Sequence, residues 1–95
     1  MKKIQAIASG KVQGVGYRMY TQSKAEELGV VGFVQNLMDS TVKIVAAGED
    51  DKVDALINWA KSGSPAAEVK DLQTEAIEYQ NGEFDCFEIR RFHPN

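Results

Sequence analysis

A chain of 95 residues, 43% hydrophobic and 26% charged, has the size and make-up of one compact globular unit over 1–95, with no room for a separate cofactor domain and none of the bias of a disordered or collagen-like chain. A single cysteine, Cys86, excludes an internal disulfide and a cysteine-built zinc site. Net charge is only −3, but Met1 to Arg18 carries Lys2, Lys3, Lys11 and Arg18 without one acid, while all fourteen Asp and Glu lie beyond; that suits a small anion better than a nucleic acid, which the acidic remainder would repel.

Lys3 to Ser9 alternates, with Ile4, Ala6 and Ala8 on one side, and predicts a first strand ending at Gly10. Gly10-Lys11-Val12-Gln13-Gly14-Val15-Gly16 reads as a loop, because three glycines in seven residues weaken any regular element. From Arg18 to Leu28 the spacing turns helical, with Thr21, Ala25 and Leu28 in a stripe behind Tyr17 and Gly29 as the stop. Gly32 to Asn36 and Thr41 to Ala47 are β-prone runs around Leu37-Met38-Asp39-Ser40, a hairpin. Asn36 ends its strand, which is expected to lie beside the first. Val53, Leu56, Ile57 and Ala60 recur at helical spacing behind Glu49, Asp50 and Asp51, acids that favour a helix start; Ser62-Gly63-Ser64-Pro65 ends that helix. Val69 to Ile77 and Phe84 to Phe92 then supply two strands around Asn81-Gly82.

This order is the split βαβ plan (βαββαβ): an α+β, ferredoxin-like sandwich with a mostly antiparallel sheet, two helices on one face and a short extra C-terminal strand. The plan serves enzymes, RNA binders and sensors alike, so function has to come from particular residues. The longest apolar stretches, such as Val45-Ala46-Ala47, fall far short of the roughly 20 residues of a membrane helix, and no signal-like apolar run follows Met1-Lys2-Lys3. A cytoplasmic protein without membrane contact is expected.

The glycine-rich loop opens a helix whose first turn holds Arg18. Successive backbone N–H groups there can meet an anion, and a guanidinium offers phosphate a planar, bidentate fork. A plain glycine turn with a surface arginine fits the same residues. No Gly-Lys-Ser/Thr nucleotide loop and no G-x-G-x-x-G fingerprint is present. Asn36 is either a turn residue or an amide able to accept from a water and donate to a phosphate oxygen. His93 lies in the tail, Cys86 reads as a small structural residue within a strand, and Asp50 and Asp51 read as solvated helix-start charges. A site with an anion cradle but no general acid or metal suits a substrate whose leaving group needs no proton. An acyl phosphate, which expels a carboxylate of pKa about 4, meets that condition.

Gly10-Lys11-Val12-Gln13-Gly14-Val15-Gly16-Tyr17-Arg18 resembles the first signature of the acylphosphatases, and Gly32-Phe33-Val34-Gln35-Asn36 the second. Ala47-Gly48-Glu49, Ser62-Gly63-Ser64-Pro65 and Phe87-Glu88-Ile89-Arg90 fall where that family has similar segments, so the resemblance spans nearly the whole chain. It implies a hydrolase that cleaves the carboxyl–phosphate bond by metal-independent attack of water, with no cofactor. Arg18 and the amides of Gln13, Gly14, Val15, Gly16, Tyr17 and Arg18 would hold the phosphate. Asn36 would position the water, and the substrate's own phosphate would take the proton. A small-molecule acyl phosphate is the expected partner, with inorganic phosphate as product and inhibitor and the chain monomeric. The family usually has Asp-Gly at the hairpin turn; here Ser40 follows Asp39, and Met38 stands where proline is common. If that turn is short, Ser40 is held at positive φ.

The rival function is a binding module on the same plan. An RNA-binding sheet would expose paired aromatics and a basic face, whereas Phe33 and Phe87 have apolar neighbours at strand spacing in an acidic chain. A small-anion sensor would use Arg18 and the cradle equally well, and Asn36 at the family position is what favours turnover over storage.

Overall fold

The computed structural model describes residues 1–90. Strands β1 (Lys2–Lys11), β2 (Val31–Asn36), β3 (Val42–Gly48), β4 (Glu68–Ile77) and β5 (Phe87–Arg90) form one sheet in the order β4-β1-β3-β2-β5. Every neighbouring pair is antiparallel except β2 and β5, which run parallel. Helices α1 (Tyr17–Leu28) and α2 (Asp50–Ala60) touch each other, α1 packing on β2 and β5 and α2 on β1 and β3, so both cover one face. This is the ferredoxin-like α+β arrangement with an added C-terminal strand. None of the helices among the described residues is long and apolar enough to cross a membrane.

The periodicities select the core. Ala6 and Ala8 from β1, Val42, Ile44 and Ala46 from β3, and Val34 from β2 are fully buried beneath Tyr17 and Ala25 of α1 and Val53, Leu56 and Ala60 of α2. Small alanines at the contact let the helices sit close to the sheet, where dispersion is strongest. Gly29 ends α1 in a left-handed conformation, with the Val30 N–H reaching Ala25 O at 2.9 Å, the bond of a Schellman stop.

The first strand does not end at Gly10; it runs on to Lys11. The β1–β4 ladder slips after Ser9↔Asp71 to Gly10↔Val69, leaving Lys70 as the extra residue of a bulge. Gly10 stays in the ladder at φ 114 because its backbone lies against β4: a Cβ would sit 2.3 Å from Glu68 O. The strand ending at Asn36 is not beside the first either, since β3 lies between them.

The last strand starts at Phe87 rather than Phe84; the expected end at Phe92, and His93, fall outside the described residues. β4 and β5 occupy opposite edges, so the segment between them must cross the sheet, and it does so over the face without helices. There Phe84 packs on Phe33, ring centroids 6.2 Å apart, Glu83 pairs with Lys3, and the Arg90 guanidinium lies 3.8 Å above the Phe33 ring. Phe33 is thus covered, while Phe87 faces the helices. Cys86 precedes β5 and is exposed, not a strand-interior structural residue.

Candidate active site

Both β1 and β2 run antiparallel to β3, so their C-terminal ends meet at one end of the sheet. Ala8 and Asn36 pair with the same residue, Val42, from opposite sides. Residues directly paired across a ladder point to the same face. The Asn36 side chain therefore projects on the helix-covered face. The loop after β1 and the first turn of α1 lie at that same end.

Buried anchors hold the loop. Val12 is buried and Val15 packs against the core. Ser64 Oγ donates to Val15 O at 3.0 Å, the Tyr17 phenol donates to Ala60 O at 2.8 Å, and Thr21 Oγ1 donates to Tyr17 O at 2.7 Å. Burial drives the Tyr17 phenol well above its ordinary pKa, so the hydroxyl stays protonated as a donor. Gln13 Nε2 donates to both Leu37 O and Thr41 O, each at 2.9 Å, and so ties the loop to the hairpin that follows Asn36.

With its edges pinned, the loop turns its own amides outward. Gly14 and Gly16 are left-handed at φ 73 and 78, a conformation that glycine adopts without the strain a side chain would bring. α1 begins with no side-chain cap and no acid in its first turn. Among the described residues, the N–H groups of Gly14, Val15, Gly16, Tyr17 and Arg18 donate to no protein acceptor. Such a row of free donors at a helix start attracts negative charge.

The Arg18 guanidinium is half-buried and, among the described residues, makes no ion pair and no hydrogen bond. With Gly14, Gly16, Tyr17, Met19 and Ile89 it lines a surface cavity of about 220 Å³. Asn36 shares this end of the sheet but does not line that cavity. Its Oδ1 is closed to solvent and has no hydrogen-bond partner, the one buried side-chain polar atom in that state among the described residues. A buried acceptor left empty costs about 1–3 kcal/mol and calls for an explanation.

The chain's residues thus offer an anion a guanidinium and five backbone donors, with an unspent amide at the same end of the sheet. Gln13 can contribute only its backbone N–H, since its side chain is committed to the hairpin. The clamps made by Gln13 and Ser64 have no local sequence signal, since the carbonyls they donate to lie 24, 28 and 49 residues away in the chain. Asp50 and Asp51 lie in the first turn of α2, Asp50 paired with the N-terminal amine at 3.1 Å. Among the described residues, no group of three or more His, Cys, Asp and Glu is arranged to hold a metal ion.

Comparison with known proteins gives the same direction. Residues 4–89 match the acylphosphatase family model. The chain is 52% identical over 88 residues to an acylphosphatase of Acaryochloris marina, covering 93% of this chain and 92% of that one. Among solved structures, the acylphosphatase from Bacillus subtilis superposes with a TM-score of 0.89 at 31% identity, covering 95% of this chain and 99% of that one. The acylphosphatase from Coxiella burnetii gives 0.87 at 38% identity, covering 94% and 92%.

Proposed function

This chain belongs to the acylphosphatase family and hydrolyses acyl phosphates, and from that premise we propose that Arg18 and the amides of residues 13–18 hold the phosphate while Asn36 positions the attacking water. The observation that carries the reading is the Arg18 guanidinium beside five amides, all without a partner among the described residues, a concentration of positive potential. A planar fork and fixed N–H donors match the equatorial oxygens of a phosphoryl group in flight, where charge is spread. The empty acceptor on Asn36 supports the second role. A turn about the Cβ–Cγ bond brings Oδ1 out of its closed position to accept from a water, and the amide N–H₂ remains to donate to a phosphate oxygen.

In the reaction, water oxygen bonds to phosphorus as the bond from phosphorus to the carboxylate oxygen breaks. The carboxylate leaves with both electrons of that bond, and the proton of the water passes to a phosphate oxygen. Dianionic acyl phosphate and water thus become carboxylate and dihydrogen phosphate. The leaving group is stable unprotonated, so neither a general acid nor a metal is required. Inorganic phosphate, as product, occupies the same cradle and inhibits. We read the 95 residues as one monomeric domain, and the single cysteine supports a cytoplasmic location.

Steady-state assays with an aryl acyl phosphate test the roles. Arg18→Ala should lose both turnover and inhibition by phosphate, and Arg18→Lys should fail as well, since a point charge lacks the fork. Asn36→Ala should lower turnover at least about a hundredfold, the scale for one positioning or transition-state donor, while phosphate still inhibits. Wild-type phosphate affinity in Arg18→Ala would sink the cradle. Turnover and inhibition falling together in Asn36→Ala would move that residue to binding or folding.

A further inference from the structure

Resting on the cradle reading, we infer that Lys11, Lys61 and Lys70, three lysines outside the site, draw the dianionic substrate and inorganic phosphate toward the loop, so that a protein of net charge −3 presents its anion with a positive approach. Lys11 ends β1 opposite Glu68, and Lys70 is the bulge residue of β4 beside that pair. Lys61 follows α2, whose end is held against the glycine-rich loop by the bonds from Tyr17 to Ala60 O and from Ser64 to Val15 O. Lys61 and Lys70 line one surface hollow, and Lys70 and Lys11 line the next. The three thus make one continuous band at the end of the sheet where Arg18 lies.

Ion pairing sets this band apart. Lys2, Lys3 and Lys24 are matched to Asp54, Glu83 and Glu27. The ammonium groups of Lys11, Lys61 and Lys70 are exposed and, among the described residues, have no ion pair and no hydrogen bond, although Glu68 and Asp71 line the same hollows. Acids gather at the opposite end, where Glu26 and Glu27 close α1 and Glu49, Asp50 and Asp51 open α2. The potential therefore rises along the molecule toward the loop, and a field of that form concentrates anions at its positive end. The protein measures 32 × 28 × 20 Å, within a screening length of about 30 Å in 0.01 M salt but well beyond the length of about 8 Å in 0.15 M. Salt and position along the molecule should both govern the attraction, whereas a contact inside the site would answer to neither.

The test measures kcat/KM for an aryl acyl phosphate, and inhibition by inorganic phosphate, in the wild type, Lys61→Glu, Lys70→Glu and Lys52→Glu, each in about 0.01 M and about 1 M salt. Lys52 lies in the first turn of α2, at the far end of the helix that Lys61 follows; it is exposed and without an ion pair among the described residues, so its reversal alters net charge equally. In low salt Lys61→Glu and Lys70→Glu should each lower kcat/KM about threefold, all of it in KM, and weaken phosphate inhibition by the same factor, while Lys52→Glu changes neither by more than about 1.5-fold. In high salt, where screening reaches about 3 Å, all the proteins should coincide. A loss in kcat, a loss that persists in high salt, or equal effects of Lys52→Glu and Lys61→Glu would overturn the inference. Wild-type kcat/KM in both Lys61→Glu and Lys70→Glu, with phosphate inhibition intact, would overturn it and leave the cradle standing. Absence of phosphate inhibition in the wild type would overturn the cradle and the inference with it.

Discussion

Replacing Gln13 with alanine removes the two hydrogen bonds, each 2.9 Å, that join the glycine-rich loop to the β2–β3 hairpin. Neither carbonyl is orphaned by the change. Leu37 O keeps the Ser40 N–H at 3.3 Å, and Thr41 O keeps the Leu37 N–H at 2.9 Å. The loss is therefore that of two neutral bonds at a half-buried site rather than of two stranded acceptors, about 1–2 kcal/mol in all. With a urea m-value of about 1–1.5 kcal/mol/M, the denaturation midpoint should fall by about 1 M with m unchanged. Turnover should fall about tenfold as well, because the clamp sets the loop against the strand end that carries Asn36, and small misplacements of reacting groups are costly. Gln13→Glu is the sharper probe. It has nearly the same shape, yet sets a carboxylate against two carbonyl oxygens, so at neutral pH it should be less stable than Gln13→Ala. A Gln13→Ala protein as stable as the wild type within about 0.3 kcal/mol would refute the clamp, as would a Glu variant more stable than the Ala variant.

Tyr17→Phe should cost about 1–2 kcal/mol near pH 8, since Ala60 O loses its buried donor. The folded state keeps the buried phenol protonated while the unfolded chain ionises it near pH 10, so wild-type stability should fall above that pH by up to about 1.4 kcal/mol per unit, and the gap to Tyr17→Phe should narrow; a gap that widens on the alkaline side would contradict the burial of Tyr17. Activity should persist in excess chelator, and loss of turnover restored by one added metal would replace the proposed mechanism. Ser40, at φ 73, is the one non-glycine residue with positive φ among the described residues, so Ser40→Gly should stabilise the fold by about 1 kcal/mol or less, glycine's freedom in the unfolded chain offsetting part of the relief. Equilibrium denaturation showing a less stable Ser40→Gly would mean that the serine is not strained.

The parts of the fold that local periodicity controls were readable from the chain. Val53, Leu56 and Ala60 mark the buried side of α2, and Ala6 and Ala8 that of β1. What escaped depends on partners distant in sequence. The first strand outruns Gly10 because a bulge at Lys70 in β4 keeps it paired, and nothing near Gly10 announces that. The insertion of β3 between β1 and β2 is likewise a property of the whole sheet. Phe84 and Cys86 follow apolar spacing well enough to be taken for strand, but the chain is still crossing the open face there, held by Phe33 and Lys3.

At the candidate site, the proposed residues could be named from the sequence and their support could not. Arg18 and the glycines stand in one continuous stretch, so a cradle could be named from neighbours alone, and Asn36 shares strand parity with Val34, which gives its face once the core side is known. The acceptors of Gln13 lie 24 and 28 residues downstream, beyond any local pattern. Those same bonds bear on the serine that departs from the usual turn. Leu37 and Ser40 close a type I turn around Met38 and Asp39, and the positive φ falls on the residue after the central pair, as in a three-residue hairpin loop with a bulge. Asp39 Oδ1 accepts from both the Thr41 N–H and its hydroxyl, and these bonds hold its carboxyl below the ordinary range, so they persist at neutral pH. Gln13 grips Leu37 O and Thr41 O, the carbonyls flanking the turn, from outside. With Asp39 bracing the turn from within and Gln13 from the loop, strain of about 1 kcal/mol at Ser40 can be carried without shifting Asn36. Through Gln13, the glycine-rich loop before α1 is thus also what lets this hairpin do without glycine.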